Sequence, residues 1–272
     1  MKIPAYDPKT NTGFIRNVDV RRSNKTGKIM VILVTRKKDR PDLPDLYALL
    51  TEKIHDINGI SMNYNPHQTD KVWGKYDTLL WGVDYLTEEI NGLKFQISPQ
   101  SYFQFNSLQA PVVRDLAIKE ADIQPDDVVV DAYSGVGTIG LLAAEKAKEV
   151  RGIETVMASI RDARENAKIN KIDNAKFFKG NVDQVLARWN EQGLKPDIVF
   201  VDPPRKGLSK GFINTLAQMK VKKLVYISAN PATLVRDIKE AAKYGYHCDH
   251  ITPIDLAPQK SEIKSVSLLQ LQ

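Results

Sequence analysis

The pattern of hydrophobic and polar positions along the chain changes at about residue 97. Beyond about Gln109, short apolar runs that predict buried strands alternate with longer stretches in which apolar residues recur at helical spacing. Such alternation is typical of a parallel sheet with crossover helices and predicts an α/β fold. Strands are predicted at residues 128–131, 149–154, 175–179, 197–202, 222–227, 246–253 and 263–271, and helices at residues 139–147, 158–170, 183–191, 210–219 and 231–243.

The first part of the chain has a mixed pattern, which predicts a smaller α+β domain over residues 1–96 ahead of a second domain over residues 97–272. Apolar runs at 13–20 and 28–35 flank a turn sequence at 23–27, and this arrangement predicts a β-hairpin. A helix is predicted over residues 45–55, with strands at 59–63, 79–83 and 93–97.

Composition restricts the class of protein. The 272 residues are 42% hydrophobic and 26% charged, which predicts a folded chain. No apolar run approaches the roughly 20 residues of a membrane span, and no leader pattern is found at the start, so we expect a cytoplasmic monomer without membrane contact. The single cysteine, Cys248, excludes an intrachain disulfide and a cysteine-ligated iron–sulfur cluster in this chain. His247, Asp249 and His250 invite a metal site, but scattered strand histidines are usually structural, and we predict no metal.

Positive charge is concentrated at the front of the chain. The formal net charge is +6, yet residues 1–40 carry +8 and the remaining residues sum to −2. Arg16, Arg21 and Arg22 belong to the predicted hairpin, so this surface is a candidate contact for a phosphate backbone. The alternative is a solvated hairpin whose charges only keep it soluble.

A glycine-rich loop joins the first predicted strand of the second domain to its first helix. Gly135, Gly137 and Gly140 match the GxGxxG spacing of dinucleotide-binding loops, in which a helix N-terminus holds a pyrophosphate. Asp131 comes just before the loop, where its carboxylate would repel a pyrophosphate but suit a cationic amino-acid ligand. Glu154 also follows Gly140 sooner than the dinucleotide spacing requires. S-adenosylmethionine fits these residues better, and a dinucleotide oxidoreductase remains the distant alternative.

Acidic and amide side chains at the ends of later strands complete the predicted donor site. Glu154 can accept both ribose hydroxyls, and Asn181 follows the third strand, where we expect contact with adenine. The sequence Asp-Pro-Pro-Arg-Lys-Gly at residues 202–207 ends the fourth strand. Its adjacent prolines rigidify the backbone and would hold Asp202 in a fixed position beside the methyl donor.

Taken together, the ordered motifs resemble the RNA uracil-C5 methyltransferases that act on ribosomal and transfer RNA. The motifs lie at residues 97–106, 131–138, 152–154, 202–207, 228–237 and 258–269. The resemblance implies a Rossmann-like fold of S-adenosylmethionine-dependent methyltransferases, with a smaller front domain that is similar to the later part of the family's central domain. The family usually carries an oligonucleotide-binding barrel and often a four-cysteine segment ahead of it, and neither is found in this sequence.

The resemblance also implies roles for individual residues. S-adenosylmethionine would be the cofactor and RNA the partner, ribosomal RNA in the first place and transfer RNA as the alternative. Asp202 would lie beside both the donor and the uracil, and Arg205 would face the RNA together with the basic front segment. The residues implied to line the donor site are Gln104, Asp131, Tyr133, Gly135, Gly137, Glu154, Asn181 and Asp202.

Two catalytic positions depart from the family pattern. Family members attack C6 of uracil with a thiolate from Ser-Cys-Asn-Pro and remove the C5 proton with a carboxylate. This chain has Ala229 at the nucleophile position and Lys264 at the base position. A methyl group cannot attack C6, and Glu262, two residues before Lys264, is the conceivable substitute for the base.

Three functions therefore stay open at the sequence level. The first is an RNA uracil-C5 methyltransferase by descent with little or no activity, because Ala229 and Lys264 replace the reacting groups. The second is a non-catalytic RNA-binding or assembly protein on the same fold. The third is a methyltransferase that uses another acceptor, such as an exocyclic amine near Asp202.

Overall fold

The structure is a computed structural model that describes residues 3–39, 42–102, 109–260 and 263–272. The chain divides into two compact units, one formed by residues 1–89 and 96–101 and the other by residues 90–95 and 102–272. Within the described residues, none of the helices combines the length and the apolar character that crossing a bilayer requires.

The first unit is built on a four-stranded sheet in the order β1-β2-β3-β4. Strands β1 and β2 are antiparallel, so the predicted hairpin is confirmed, while β3 runs parallel to β2 and antiparallel to β4. Two further strands, β5 and β6, pair with each other, and their residues are divided between the units, because residues 90–95 belong to the second one. The bounds are β1 Ile15–Arg22, β2 Ile29–Thr35, α1 Leu43–Lys53, β3 Ile57–Tyr64, β4 Tyr76–Gly82, β5 Leu86–Ile90 and β6 Leu93–Ile97.

A buried carboxylate holds the hairpin turn. Glu88 is only 3% exposed, and its two oxygens accept hydrogen bonds from the backbone N–H groups of Asn24 and Lys25 at 3.0 and 3.2 Å. Below the turn, Val31, Leu33 and Ile60 pack with one another on one face of the sheet. The turn therefore forms where the sequence predicts it, but the sequence pattern does not reveal that Glu88 of β5 holds it by hydrogen bonds.

The second unit contains the remaining helices and strands. Their bounds are α2 Ala110–Ala121, β7 Val128–Ala132, α3 Thr138–Ala144, β8 Glu149–Glu154, α4 Met157–Ile169, β9 Ala175–Lys179, α5 Val182–Glu191, β10 Ile198–Val201, α6 Lys210–Met219, β11 Lys223–Ser228, α7 Pro231–Ala242, β12 Tyr246–His247, β13 Ile251–Ile254 and β14 Lys264–Leu271. The sheet order is β9-β8-β7-β10-β11-β14-β12, with β13 also paired to β14.

The sheet is doubly wound, with helices on both faces. Strands β9, β8, β7, β10 and β11 are parallel, and β14 is antiparallel to β11. Neighbouring residues of β7 point to opposite faces: Val129 packs in one core with residues of α2 and α3, whereas Val130 packs in the other with residues of α5, α6 and α7. This arrangement confirms the α/β class predicted from the alternating pattern.

The strand order fixes where a ligand binds. The chain proceeds from β7 outward through β8 to β9, then returns to the other side of β7 with β10. Open α/β sheets bind ligands at such a switch point, beyond the carboxyl ends of the strands. The loops after β7, β8 and β10 therefore meet at the edge where the sequence motifs lie.

Three elements differ from the sequence prediction. Helix α2 was not predicted, because its buried face is made largely of small residues, Ala110, Ala117 and Ala121, which give a weak hydrophobic pattern. Strand β5 was also not predicted. The single strand predicted over residues 246–253 is divided into β12 and β13, which pair with different parts of β14.

Candidate active site at the carboxyl edge of the sheet

The glycine loop after β7 leaves space for a ligand. Three of its residues, Tyr133, Gly135 and Gly137, have positive φ values of 71°, 54° and 84°. A Cβ at Gly137 would lie 2.8 Å from the ring of Phe177, so only glycine fits there. A Cβ at Gly135 would meet no atom within 4 Å, because this position faces open space. The loop thus combines a packed glycine with an open one.

Asp131 is a buried carboxylate at the end of β7. Its Oδ2 accepts a hydrogen bond of 2.8 Å from the backbone N–H of Gly140 in α3. Burial raises the pKa of Asp131 to about 7, and the nearby charges of Asp202 and Glu154 add to this rise against the lowering effect of the Gly140 hydrogen bond. Asp131 is therefore poised to ionise when a cationic group enters beside it.

Glu154 ties the end of β8 to the glycine loop. Its Oε2 accepts a hydrogen bond of 3.1 Å from the N–H of Gly135, and its Oε1 accepts one of 2.8 Å from the N–H of Val156. Oε1 also accepts hydrogen bonds from the backbone N–H and the hydroxyl of Thr155, so Oε2, which accepts only the Gly135 bond, is the oxygen that can accept a further donor such as a hydroxyl group. The side chain is thus oriented by the backbone beside the loop.

Asn181 lies at the end of β9, outside the cavity formed by the glycine loop. Its side chain caps α5 by accepting a hydrogen bond of 3.3 Å from the N–H of Gln184, and the residue is exposed. Contact with adenine therefore stays a prediction. Gln104, the other amide predicted for the donor site, lies outside the described residues.

A cavity of about 90 Å³ brings most of the other predicted residues together. Tyr133 and Gly135 line it from the glycine loop, Asp131 from β7, Asp202 from the end of β10 and Lys264 from the start of β14. Burial raises the pKa of the Tyr133 phenol to about 12, so this hydroxyl stays protonated at neutral pH. Residues from several of the sequence motifs thus line one cavity, whereas Gly137, Glu154 and Ala229 are not among its lining residues.

Asp202 and Lys264 form an ion pair in this cavity. The Lys264 side chain is only 13% exposed, whereas that of Asp202 is 35% exposed. An ammonium group and a carboxylate in this arrangement form a charge-assisted hydrogen bond. The residue at the family's base position is therefore a cation that neutralises the aspartate of the Asp-Pro-Pro-Arg motif.

Positions 229 and 264 both adjoin the last residue pair of two neighbouring strands. The antiparallel register of β11 and β14 ends with Ser228 opposite Ser265; Ala229 directly follows β11, and Lys264 is the first residue of β14. Ser228 bonds to the backbone N–H of Asn230 at 3.1 Å and lies buried. Glu262, the conceivable substitute for the base, lies outside the described residues. The two altered positions are thus neighbours in space although 35 positions apart in the sequence.

The loop that follows Asp202 is fixed to the start of α7. The Arg205 carbonyl accepts hydrogen bonds of 3.2 Å from the side chains of Asn230 and Thr233, and the Arg205 side chain itself is exposed. The guanidinium of Arg236 donates to the carbonyl of Lys206 at 2.8 Å. Two motifs that are distant in the sequence therefore form one rigid structure.

Asp237 is the buried centre of that structure, and we expect Asp237→Ala to lower the free energy of unfolding by about 3 kcal/mol. Its Oδ2 accepts hydrogen bonds of 2.8 Å from both the Leu208 N–H and the Tyr226 hydroxyl, and its Oδ1 pairs with Arg236. Urea denaturation checks this, with Asp173→Ala as the control at an exposed position between α4 and β9. Equal unfolding free energies for the two variants would contradict it.

The predicted RNA-contacting arginines of the first unit differ in their surroundings. Arg16 donates to the carbonyls of His67 at 2.7 Å and Thr69 at 3.0 Å, and Arg21 pairs with Asp19 and donates to the Ser101 carbonyl at 2.8 Å. Arg22 is exposed on the hairpin. The side chains of Arg16 and Arg21 thus stabilise their own unit, and their role toward RNA stays a prediction.

The lone cysteine and the nearby histidines show no arrangement for chemistry. Cys248 lies half-buried between β12 and β13, whereas the sequence predicts it within a strand over residues 246–253. Burial raises the pKa of its thiol. His247 pairs with Asp249 at 2.7 Å, whereas His250 approaches Glu120. Across residues 3–39, 42–102, 109–260 and 263–272, no cluster of three or more candidate metal ligands is found.

Arg114 is a charged residue of the cavity that the sequence does not predict. Arg114 of α2 lines the same space as Asp131, Asp202 and Lys264 and is only 8% exposed. It belongs to no motif, and α2 has no strong hydrophobic pattern. The one sequence signal for Arg114 is that it lies among the apolar positions that form the buried side of α2, where a charged residue is unusual.

Comparison with known proteins identifies the fold and the family. The crystal structure of Pyrococcus abyssi tRNA (uracil-54, C5)-methyltransferase in complex with S-adenosyl-L-homocysteine is similar at a TM-score of 0.81 and 30% identity, over 98% of this chain and 62% of that one. The M. jannaschii tRNA m1G37 methyltransferase, at a TM-score of 0.59 and 19% identity over 98% of this chain and 78% of that one, shares the fold. The fold is thus that of the S-adenosylmethionine-dependent methyltransferases.

Sequence relatives extend the comparison along the chain. An uncharacterized RNA methyltransferase from Lactobacillus johnsonii is 48% identical over 98% of this chain, and one from Oceanobacillus iheyensis is 41% identical over 99%. In both cases the chain spans 59% of the relative's length. The family model described as tRNA (Uracil-5-)-methyltransferase matches residues 74–270, which include every motif placed at the sheet edge. The chain therefore belongs to this family of RNA m5U methyltransferases.

Proposed function

We propose that this chain binds S-adenosylmethionine and a uridine in RNA, as a uracil-C5 methyltransferase by descent, and makes little or no 5-methyluridine itself. The observation that carries this proposal is the ion pair between Lys264 and Asp202 in the cavity beside the glycine loop. This ion pair supports a site in which acidic side chains remain available to the methyl donor while a cation, Lys264, stands at the position of the base.

The residues present fit the methyl donor. The carboxylates of Asp131 and Glu154 lie beside the glycine loop, where they suit an ammonium group and hydroxyl groups respectively. The hydroxyl of Ser134 is buried in the loop and has no hydrogen-bond partner among the described residues, so a polar ligand atom can satisfy it. When bound, S-adenosylmethionine supplies an electrophilic methyl group.

The groups present at positions 229 and 264 do not supply the rest of the reaction. C5 of uracil becomes nucleophilic only after a thiolate adds to C6, and the Ala229 side chain has no atom that can form this bond. The C5 proton must then leave to a base, whereas the Lys264 ammonium is a donor held by Asp202. Both missing steps fall at neighbouring positions of β11 and β14.

Tritium release from RNA labelled at C5 of uracil tests the proposal, together with calorimetry using S-adenosylhomocysteine. We expect S-adenosylhomocysteine to bind and tritium release to stay at background on ribosomal and transfer RNA. Release at the rate of an active family member would refute the loss of activity. Failure to bind S-adenosylhomocysteine would refute the donor site and favour an RNA-binding or assembly protein.

The ion pair also bears on the third function. An exocyclic amine would need a free acceptor at Asp202, and this carboxylate is already neutralised by Lys264. Mass spectrometry of RNA incubated with protein and donor would reveal such a product, and we expect none. Ribosomal RNA as the substrate, a monomeric state, a cytoplasmic location and the donor-site role of Gln104 stay predictions from the sequence.

A further inference from the structure

Arg114 is a buried cation that the proposed chemistry does not use. It lies in α2 with 8% of its surface exposed and lines the cavity that also contains Asp131. Burial lowers the pKa of its guanidinium to about 10, and the charge of Asp202 opposes this fall. The side chain therefore remains positively charged at neutral pH in a largely desolvated position.

The charge of Arg114 is not balanced by an ion pair. Within the part of the chain that the structure describes, no carboxylate lies within the 4.0 Å of an ion pair with its guanidinium. Asp202, the largest favourable charge near it, is taken by Lys264. A buried cation without a paired anion is costly, because desolvation is not repaid. The cavity is thus complementary to an anionic group that none of its described lining residues supplies to Arg114.

The cavity also contains the opposite charge. Asp131 is a buried carboxylate with a hydrogen bond to the backbone of α3. A space lined by one buried cation and one buried anion matches a zwitterion, and an α-amino acid carries both charges on neighbouring atoms. The amino-acid tail of the methyl donor is such a group.

We propose that Arg114 binds the α-carboxylate of the methyl donor, while Asp131 binds its ammonium group. This inference rests on the proposed function, since it names the residue that recognises one end of the donor at the same site. Lys264 contributes indirectly, because it pairs with Asp202, the carboxylate whose charge has the largest favourable effect on Arg114. Arginine suits this role because its planar guanidinium can donate two parallel hydrogen bonds to one carboxylate.

Calorimetry with two nucleosides separates this role from a general effect on the fold. S-adenosylhomocysteine carries the amino-acid tail, whereas 5′-methylthioadenosine lacks it and keeps the adenosine and the sulfur. We expect Arg114→Gln to weaken S-adenosylhomocysteine binding about 10- to 100-fold and to change 5′-methylthioadenosine binding less than about 2-fold. Arg114→Lys, which keeps the charge but loses the paired donors, should fall between Arg114→Gln and the parent.

Arg188→Gln is the matched control, because this arginine is exposed in α5 and does not line the cavity. It should leave both affinities unchanged. Equal losses for the two nucleosides, or no loss for either, in Arg114→Gln would overturn the role of Arg114 while the parent still binds S-adenosylhomocysteine. A parent protein that binds neither nucleoside would overturn the proposed function, and this inference with it.

Discussion

Ala229→Cys combined with Lys264→Glu is expected to raise tritium release from C5-labelled uracil RNA by about 10³-fold or more over the parent chain. Position 229 directly follows β11 and position 264 begins β14, beside the last residue pair of the two strands, so we expect the double change to bring a thiol and a carboxylate close together. It also breaks the ion pair that neutralises Asp202. Both reacting groups return to one space, and neither is sufficient alone.

The single variants are the controls for this gain. Ala229→Cys retains the cation at 264 and Lys264→Glu retains the methyl group at 229, so each should stay near background, because nucleophile and base act as a unit. Ala229→Ser with Lys264→Gln provides a matched pair of similar size without either reacting group. Background release in the Cys/Glu double variant, with S-adenosylhomocysteine still bound, would show that more than these two groups has been lost.

Asp131→Asn is expected to stabilise the protein while weakening donor binding. Burial raises the pKa of Asp131 from 3.8 to about 7, so the native state binds a proton that the unfolded state has lost between these values. The free energy of unfolding of the parent should therefore fall as the pH rises through this window. Relative to the parent, the variant should gain about 2–3 kcal/mol more near pH 8 than near pH 5 in urea denaturation.

The same carboxylate predicts how donor affinity changes with pH. Below about pH 7 the protonated Asp131 cannot pair with an ammonium group, so S-adenosylhomocysteine affinity should rise up to about tenfold per pH unit until the carboxylate is ionised. Asp131→Asn should lose this dependence together with much of the affinity. Asp126→Asn, at an exposed position before β7, is the control and should behave as the parent does. A flat pH profile for the parent would exclude Asp131 as the ammonium partner.

The strands of the second unit could be predicted from the sequence because short apolar runs alternate with stretches of helical spacing. Residues 149–154 and 175–179 agree with β8 and β9 without change, and 210–219 agrees with α6. The motifs follow strand ends, and parallel strands end at one edge, so Asp131 and Asp202 were expected together before the topology was known. Periodicity and loop chemistry are enough for this part of the fold.

The remaining features depend on tertiary contacts, which no local pattern encodes. Arg114 reaches the cavity only because α2 packs with the core formed by strands such as β11 and β14. The pairing of Lys264 with Asp202 requires β14 to lie antiparallel beside β11, because β11 is also the neighbour of β10, the strand that Asp202 follows. The charges of Arg16 and Arg21 can be read from the sequence, but only the folded unit shows that both side chains donate hydrogen bonds to backbone carbonyl groups.

The internal engagement of Arg16 and Arg21 has a consequence for the ionic-strength dependence of the proposed RNA complex. Each cation that reaches a phosphate displaces a condensed counterion and adds roughly 0.7–0.9 to the slope of log affinity against log salt concentration. Guanidinium groups already bonded to the carbonyls of His67 and Ser101 displace none. A titration against potassium chloride should therefore give a shallower line than the +8 charge of residues 1–40 suggests.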